Sequence, residues 1–178
     1  MDEREKILIR QCKAGNTNAM SRLYELYYRP MFNTAYRIVN DFHFAEDVMH
    51  EAFIKAFEHI HSFRGDAGFG AWLKRIIINE SLQWIKKYGN FNTGEDESKF
   101  DKPDTDAPDP LSVPPEELLK AMRRLKDNYR TILSLYYIEG YDYEEISQIM
   151  GISYQNARTM LSRAKASLKK ILTENKPT

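Results

Sequence analysis

The clearest chemistry in this sequence lies between Gln155 and Lys165, where Gln155, Asn156, Arg158, Thr159, Ser162, Arg163 and Lys165 cluster within eleven positions. On a helix whose apolar residues are Ala157, Leu161, Ala164, Leu168 and Ile171 or Leu172, these seven fall outside the buried stripe. They are the side-chain types that meet base edges and phosphates in a DNA major groove: arginine pairs with guanine, Gln or Asn with adenine, and Ser and Thr are more permissive. A second set, Arg75, Asn79, Gln83 and Lys86, recurs at i, i+4, i+8 and i+11 and forms one stripe along a helix face. Taken alone, that stripe is better read as the solvated face of an otherwise buried helix.

A third candidate is the stretch Phe63, Arg64, Gly65, Asp66, Ala67, Gly68, Phe69 and Gly70, too glycine-rich for helix. No strand pattern precedes it and no Gly-Lys-Ser/Thr follows, so neither a P-loop nor a dinucleotide fingerprint is supported. Phe63 and Phe69, beside Trp72, offer ring faces to an unstacked base or else plug a helix junction. Catalytic and metal chemistry is not expected. His50-Glu51 lacks a second histidine at zincin spacing, and Cys12 has no second cysteine with which to form a disulfide or a thiolate zinc site. We expect no enzyme activity, cofactor, metal or small-molecule substrate.

The elements that must hold these residues read as helices. Leu23, Leu26, Tyr27, Met31, Ala35 and Ile38 recur at three and four, as do Val48, Ala52, Phe53, Ala56, Phe57 and Ile60. Asn40 and Asp41 break the two, with a new helix expected from about Phe44, and Ala71 to Lys87 forms a third. Further on, Leu118, Leu119, Met122 and Leu125 make a short amphipathic helix, and Tyr129 to Ile138 another that ends at Gly140. Asp142 and Glu145 then form a capping-box-like start to a helix closed by Gly151, and Ser153 caps the helix that carries the seven polar residues. Two helices around a Gly-Ile-Ser turn make a helix-turn-helix.

The 26 basic and 26 acidic residues of this 178-residue chain cancel to zero, a balance that argues against nucleic acid as a partner. The distribution overturns the total. Residues 1–88 hold 13 basic and 11 acidic groups, residues 89–117 hold 2 and 9, and residues 118–178 hold 11 and 6, so the segments carry +2, −7 and +5. The middle segment also holds five of the seven prolines, the composition of a solvated linker. The expected architecture is therefore all-α, with two small helical domains over 1–88 and 118–178 joined by an acidic, Pro-rich linker over 89–117. The first ten residues carry mixed charge without an apolar core and no aliphatic run approaches membrane-spanning length, so no targeting or transmembrane segment and a cytoplasmic location are expected.

Two separated strings carry a family resemblance: "AEDVMHEAFIKAFEHIHSFRGDAGFGAWLKRIIIN", Ala45 to Asn79, and, beyond the acidic segment, "GYDYEEISQIMGISYQNARTMLSRAKASLKKIL", Gly140 to Leu172. In that order they resemble the extracytoplasmic-function (ECF) sigma factors of bacterial RNA polymerase, and "LIRQCKAGNTNAMSRLYELYYRPMF", Leu8 to Phe32, is similar to the family's opening segment. The resemblance covers nearly the whole chain. It implies a first domain, region 2, whose helix with Glu46, Asp47, His50 and Glu51 binds the coiled coil of the largest polymerase subunit. It implies that Phe63, Arg64, Gly65, Asp66 and Phe69, with Trp72, Lys74, Arg75, Asn79 and Gln83, take a melted single strand of the −10 promoter element, which turns the polar stripe from solvation to function. It implies a second domain, region 4, that docks on the polymerase flap and reads the −35 element as duplex through the helix-turn-helix residues, and a linker that threads the enzyme's cleft. An anti-sigma partner is implied as well. Met160 stands where the family usually has arginine, and Gly70 and Ala71 stand where a larger residue and a threonine are common.

Two readings from other classes compete. An ordinary helix-turn-helix regulator would bind an operator unaided as a symmetric dimer, and a helical interaction protein would bind no DNA.

Overall fold

In the computed structural model, residues 2–89 and 113–174 are described, and they contain helices and no strand. The chain divides into two compact units between Lys87 and Tyr88. Most of the acidic, Pro-rich segment, residues 90–112, lies outside the described residues.

The N-terminal unit contains α1 (Glu3–Lys13), α2 (Thr17–Val39), α3 (Phe42–Glu58), a 3-10 turn (Ile60–Ser62) and α4 (Phe69–Tyr88). Local signals set its boundaries. The Asn16 side chain accepts from the Ala19 N–H to start α2, Asn40 closes that helix with φ 61°, and Asp41 accepts from the Phe44 N–H to start α3. Because Asp41 is the cap, α3 begins at Phe42, two residues ahead of the expected start. The apolar stripes of all four helices converge in one core, with Leu23, Met31, Ala35, Met49, Ala52, Phe53, Leu73 and Ile77 among its members. Burying each of the larger side chains contributes about 1.5–3 kcal/mol. Lys55 of α3 reaches Glu80 of α4 at 2.7 Å, and this hydrogen bond, outweighing burial, raises the lysine's pKa.

The C-terminal unit is built on α8 (Tyr154–Glu174), against which α5 (Pro115–Arg123), α6 (Asp127–Leu133) and α7 (Tyr143–Met150) pack. Pro115 opens α5, so 115–117, assigned above to the linker, are helical: proline supplies a fitting φ at a first turn where its missing N–H costs nothing. The expected helix from Tyr129 to Ile138 starts earlier, at Asp127, and its second half, Ser134–Ile138, is π-helical. Glu139 donates to the Ser134 carbonyl at 3.0 Å, the five-residue spacing of that form. The α6 segment buries polar side chains that a hydrophobic pattern does not flag: Asn128, Arg130, Thr131 and Ser134. Arg130 is held there by Asp127 at 2.6 Å and by the Leu125 carbonyl at 3.1 Å.

Candidate nucleic-acid interface

The helix-turn-helix begins at a complete capping box. Asp142 accepts from the Glu145 N–H and the Glu145 carboxylate accepts from the Asp142 N–H, each at 2.9 Å. Gly151 closes α7 with φ 69°, and the Ser153 hydroxyl accepts from the Asn156 N–H at 3.1 Å to start α8. Each signal acts within four residues, so turn and helix directions follow from local chemistry. Ala157, Leu161, Ala164, Leu168 and Leu172 bury one face of α8. Gln155, Asn156, Arg158 and Ser162 are exposed, while Thr159, Arg163 and Met160 are half-buried.

Lys165 departs from the expected outward face. It follows Leu161 by four residues and precedes Leu168 by three, which sets it beside the buried stripe. Its ammonium lies 5.5 Å and 5.3 Å from the ring centroids of Tyr136 and Tyr137. A hydrogen bond with Tyr137, opposing the effect of burial, raises its pKa. Lys165 thus braces the π-helical segment against α8 instead of projecting with Arg158.

In the N-terminal unit, Asn79 and Gln83 are exposed along α4, and Lys74 and Arg75 are half-buried. Between the 3-10 turn and α4, Arg64, Gly65 and Asp66 are exposed. Phe63 and Phe69 are not: at 5% and 0% exposure they are core residues, which removes their faces from any base. They meet edge to face at 5.6 Å, and Trp72 lies 5.4 Å from Phe63 and 5.5 Å from Phe69, so three rings clamp the ends of the loop together. Of these rings only Trp72 is half-buried.

Two residues outside the sequence-derived set shape this loop. The Lys13 ammonium donates to the Phe63 carbonyl at 2.8 Å and ties the loop to α1. Tyr27 packs its ring against Phe69 at 5.4 Å and donates a short hydrogen bond from its hydroxyl to Glu5. Burial first, and then that bond, push the Tyr27 pKa well above the ordinary tyrosine range. Tyr27 also accounts for Gly70: a Cβ there would stand 2.7 Å from the tyrosine Cε1. No spacing rule links residues 27 and 70. Lys13 carries a weak signal, since Lys6, Arg10 and Lys13 recur at i, i+4 and i+7.

On α3, Asp47, His50 and Glu51 are exposed and Glu46 is half-buried, opposite the buried Ala45, Val48, Met49, Ala52 and Phe53. His50 is oriented by Tyr24, whose hydroxyl lies 2.9 Å from Nε2, and Glu51 reaches Lys55 at 3.8 Å. No helix among the described residues is long and apolar enough to cross a membrane.

Comparison with known proteins matches the two units separately. Residues 23–91 match the family model for Sigma-70 region 2, and residues 115–168 match that for Sigma-70 region 4. The ECF RNA polymerase sigma factor SigM of Bacillus subtilis (strain 168) is 31% identical over 153 residues, covering 84% of this chain and 93% of that protein. The RNA polymerase sigma factor YlaC of the same organism is 28% identical over 166 residues, covering 89% and 95%. Among solved structures, the sigma factor RpoE of Bartonella quintana, in complex with the anti-sigma factor NepR, shares the fold with a TM-score of 0.59 at 22% identity, covering 88% of this chain and 98% of that one. Sigma factors are non-catalytic initiation factors that bind core RNA polymerase and promoter DNA. Both regions, in order, and the likeness to SigM across nearly all of its length place this chain in the ECF sigma factor family, with a role in transcription initiation.

Proposed function

We propose that this sigma factor reads the −35 element as duplex through α8 and holds the −10 element as melted single strand on the N-terminal unit. The observation that carries the reading is the capped helix-turn-helix with Gln155, Asn156, Arg158 and Ser162 exposed on α8, opposite its buried stripe. Arg158 and the amides contact base edges, while the unit's +5 excess attracts phosphates. Asn79 and Gln83, exposed on α4, supply amides for unstacked bases, with Trp72 the available ring beside the exposed Arg64, Gly65 and Asp66. Holding a melted base requires no catalytic group: unstacking costs a few kcal/mol, and stacking and hydrogen bonding to the exposed base return a comparable amount.

The outer face of α3, with Glu46, Asp47, His50 and Glu51, docks on the coiled coil of the largest polymerase subunit, and region 4 docks on the flap. The acidic linker, able to reach roughly 90 Å when extended, threads the enzyme's cleft between the two sites. An anti-sigma protein holds the factor inactive, as the RpoE–NepR complex supports, and the protein acts in the cytoplasm with the polymerase.

Run-off transcription with purified core polymerase on a promoter library tests the reading. Promoter-specific initiation that depends on this chain is expected. Footprinting of DNA by the free protein, with no initiation when core is added, would instead establish the dimeric regulator.

A further inference from the structure

We propose that the cleft between α1 and the loop following Ser62 is a second nucleic-acid site of the N-terminal unit, one that grips the phosphodiester backbone of the melted strand. The cleft measures about 260 Å³. Lys6, Arg10 and Lys13 approach it from α1, Arg64 stands on the loop, and the buried Ile9 lies beneath the cations. The Lys13 ammonium is already committed to the Phe63 carbonyl, which fixes the loop wall and leaves Lys6, Arg10 and Arg64 to meet a ligand. Lys6 pairs with Glu3 at 3.2 Å, but both are well exposed, and a surface pair of this kind is worth only about 0–1 kcal/mol, so an anion displaces it readily.

The lining selects backbone over base. The one aromatic residue in the wall, Phe63, is buried among Phe69 and Trp72 and offers no free face for stacking. Flexible cations around a cleft without a stacking face suit phosphate oxygens, contacts that position a strand without reading its sequence. Gly65, with φ 88°, leaves part of the wall without a side chain and lets a chain approach closely. This inference rests on the single-strand reading above, since it is the strand held by the N-terminal unit whose backbone would enter the cleft.

The experiment uses holoenzyme assembled from the full chain and core polymerase, on a promoter recovered by the run-off screen. Binding is measured across salt concentrations to a duplex carrying only the −35 element and to a fork with the −10 strand unpaired. Loss of two phosphate contacts in Lys6→Gln/Arg10→Gln is expected to make the salt slope on the fork shallower by about 1.4, from roughly 0.7 per single-strand phosphate. That slope corresponds to a loss of roughly 25-fold in affinity at 0.1 M relative to 1 M salt, with the −35 duplex unaffected. Lys6→Glu/Arg10→Glu should lose more, with thermal melting of both variants verifying the fold. A glutamine variant with wild-type slope and affinity on the fork, or with equal losses on both templates, overturns the cleft assignment. Wild-type holoenzyme that does not prefer the fork overturns the single-strand reading itself and the cleft with it.

Discussion

Replacing Gly70 with alanine should destabilise the N-terminal unit even though alanine is the better helix former. Gly70 is the second residue of α4 and has no positive φ, so propensity by itself predicts that Gly70→Ala stabilises by a few tenths to about 1 kcal/mol. The tertiary setting reverses the sign. An added Cβ would meet Tyr27 Cε1 at 2.7 Å, about 1 Å inside ordinary contact. The ring has little freedom to retreat, because its hydroxyl is bonded to Glu5 and the ring itself packs at a tilt on Phe69. Overpacking of this kind costs typically 1–3 kcal/mol, leaving a net loss of about 1–2 kcal/mol after the propensity gain. For a unit of this size that amounts to a fall of about 4–15 °C in Tm. Thermal and urea unfolding of the full chain would measure it, with the same substitution repeated in a Tyr27→Ala background. There the clash is gone, and Gly70→Ala should become neutral or stabilising, a coupling that a double-mutant cycle isolates. An unchanged or raised Tm in the otherwise wild-type chain would refute the packing argument.

Tyr27→Phe should cost about 1–2 kcal/mol at pH 8 through the lost bond to Glu5. It should also weaken the alkaline decline in stability: folded Tyr27 keeps its proton above the unfolded tyrosine pKa near 10, so its contribution is full below about pH 10 and falls as pH rises further. Urea midpoints at pH 8 and 10.5 test both, and equal pH dependence in the two proteins would reject the assignment. Arg130→Met, which removes the buried guanidinium's bonds to Asp127 and to the Leu125 carbonyl, should destabilise the C-terminal unit by about 1–3 kcal/mol, read by denaturant unfolding; an unchanged midpoint would show these bonds to be dispensable. With holoenzyme, Asn79→Ala should slow promoter opening while leaving duplex binding nearly intact, whereas Arg158→Ala should weaken closed-complex formation by roughly 5- to 150-fold, the equivalent of one base contact. Equal effects of both variants on both steps, measured by binding and permanganate footprinting, would reject this division of labour. Neutralising the acidic side chains between Glu95 and Asp109 should strengthen binding of the free protein to promoter duplex, and unchanged affinity in a mobility-shift titration would show that the linker does not mask the basic domain.

The features legible in the sequence are those whose causes lie within a few residues or one helical period. Asp142, Glu145, Gly151 and Ser153 define the helix-turn-helix because caps and left-handed turns are local events, and the stripe from Ala157 to Leu172 separates the buried face of α8 from the exposed one. The segmental charges of +2, −7 and +5 likewise separate two folded units from an acidic segment without reference to any contact. Tertiary structure alone decided where the aperiodic residues point. Phe63 in the loop and Phe69 at the first position of α4 flank a stretch without a repeat, and they pack with Trp72 while Lys13, fifty residues from Phe63, holds the Phe63 carbonyl. Lys165 reads as a cation available to DNA, yet it braces two tyrosines, since what it faces is set by a neighbouring element. Gly70 has the same origin: Tyr27, not the local backbone, demands a residue without a side chain, and only packing brings the two together.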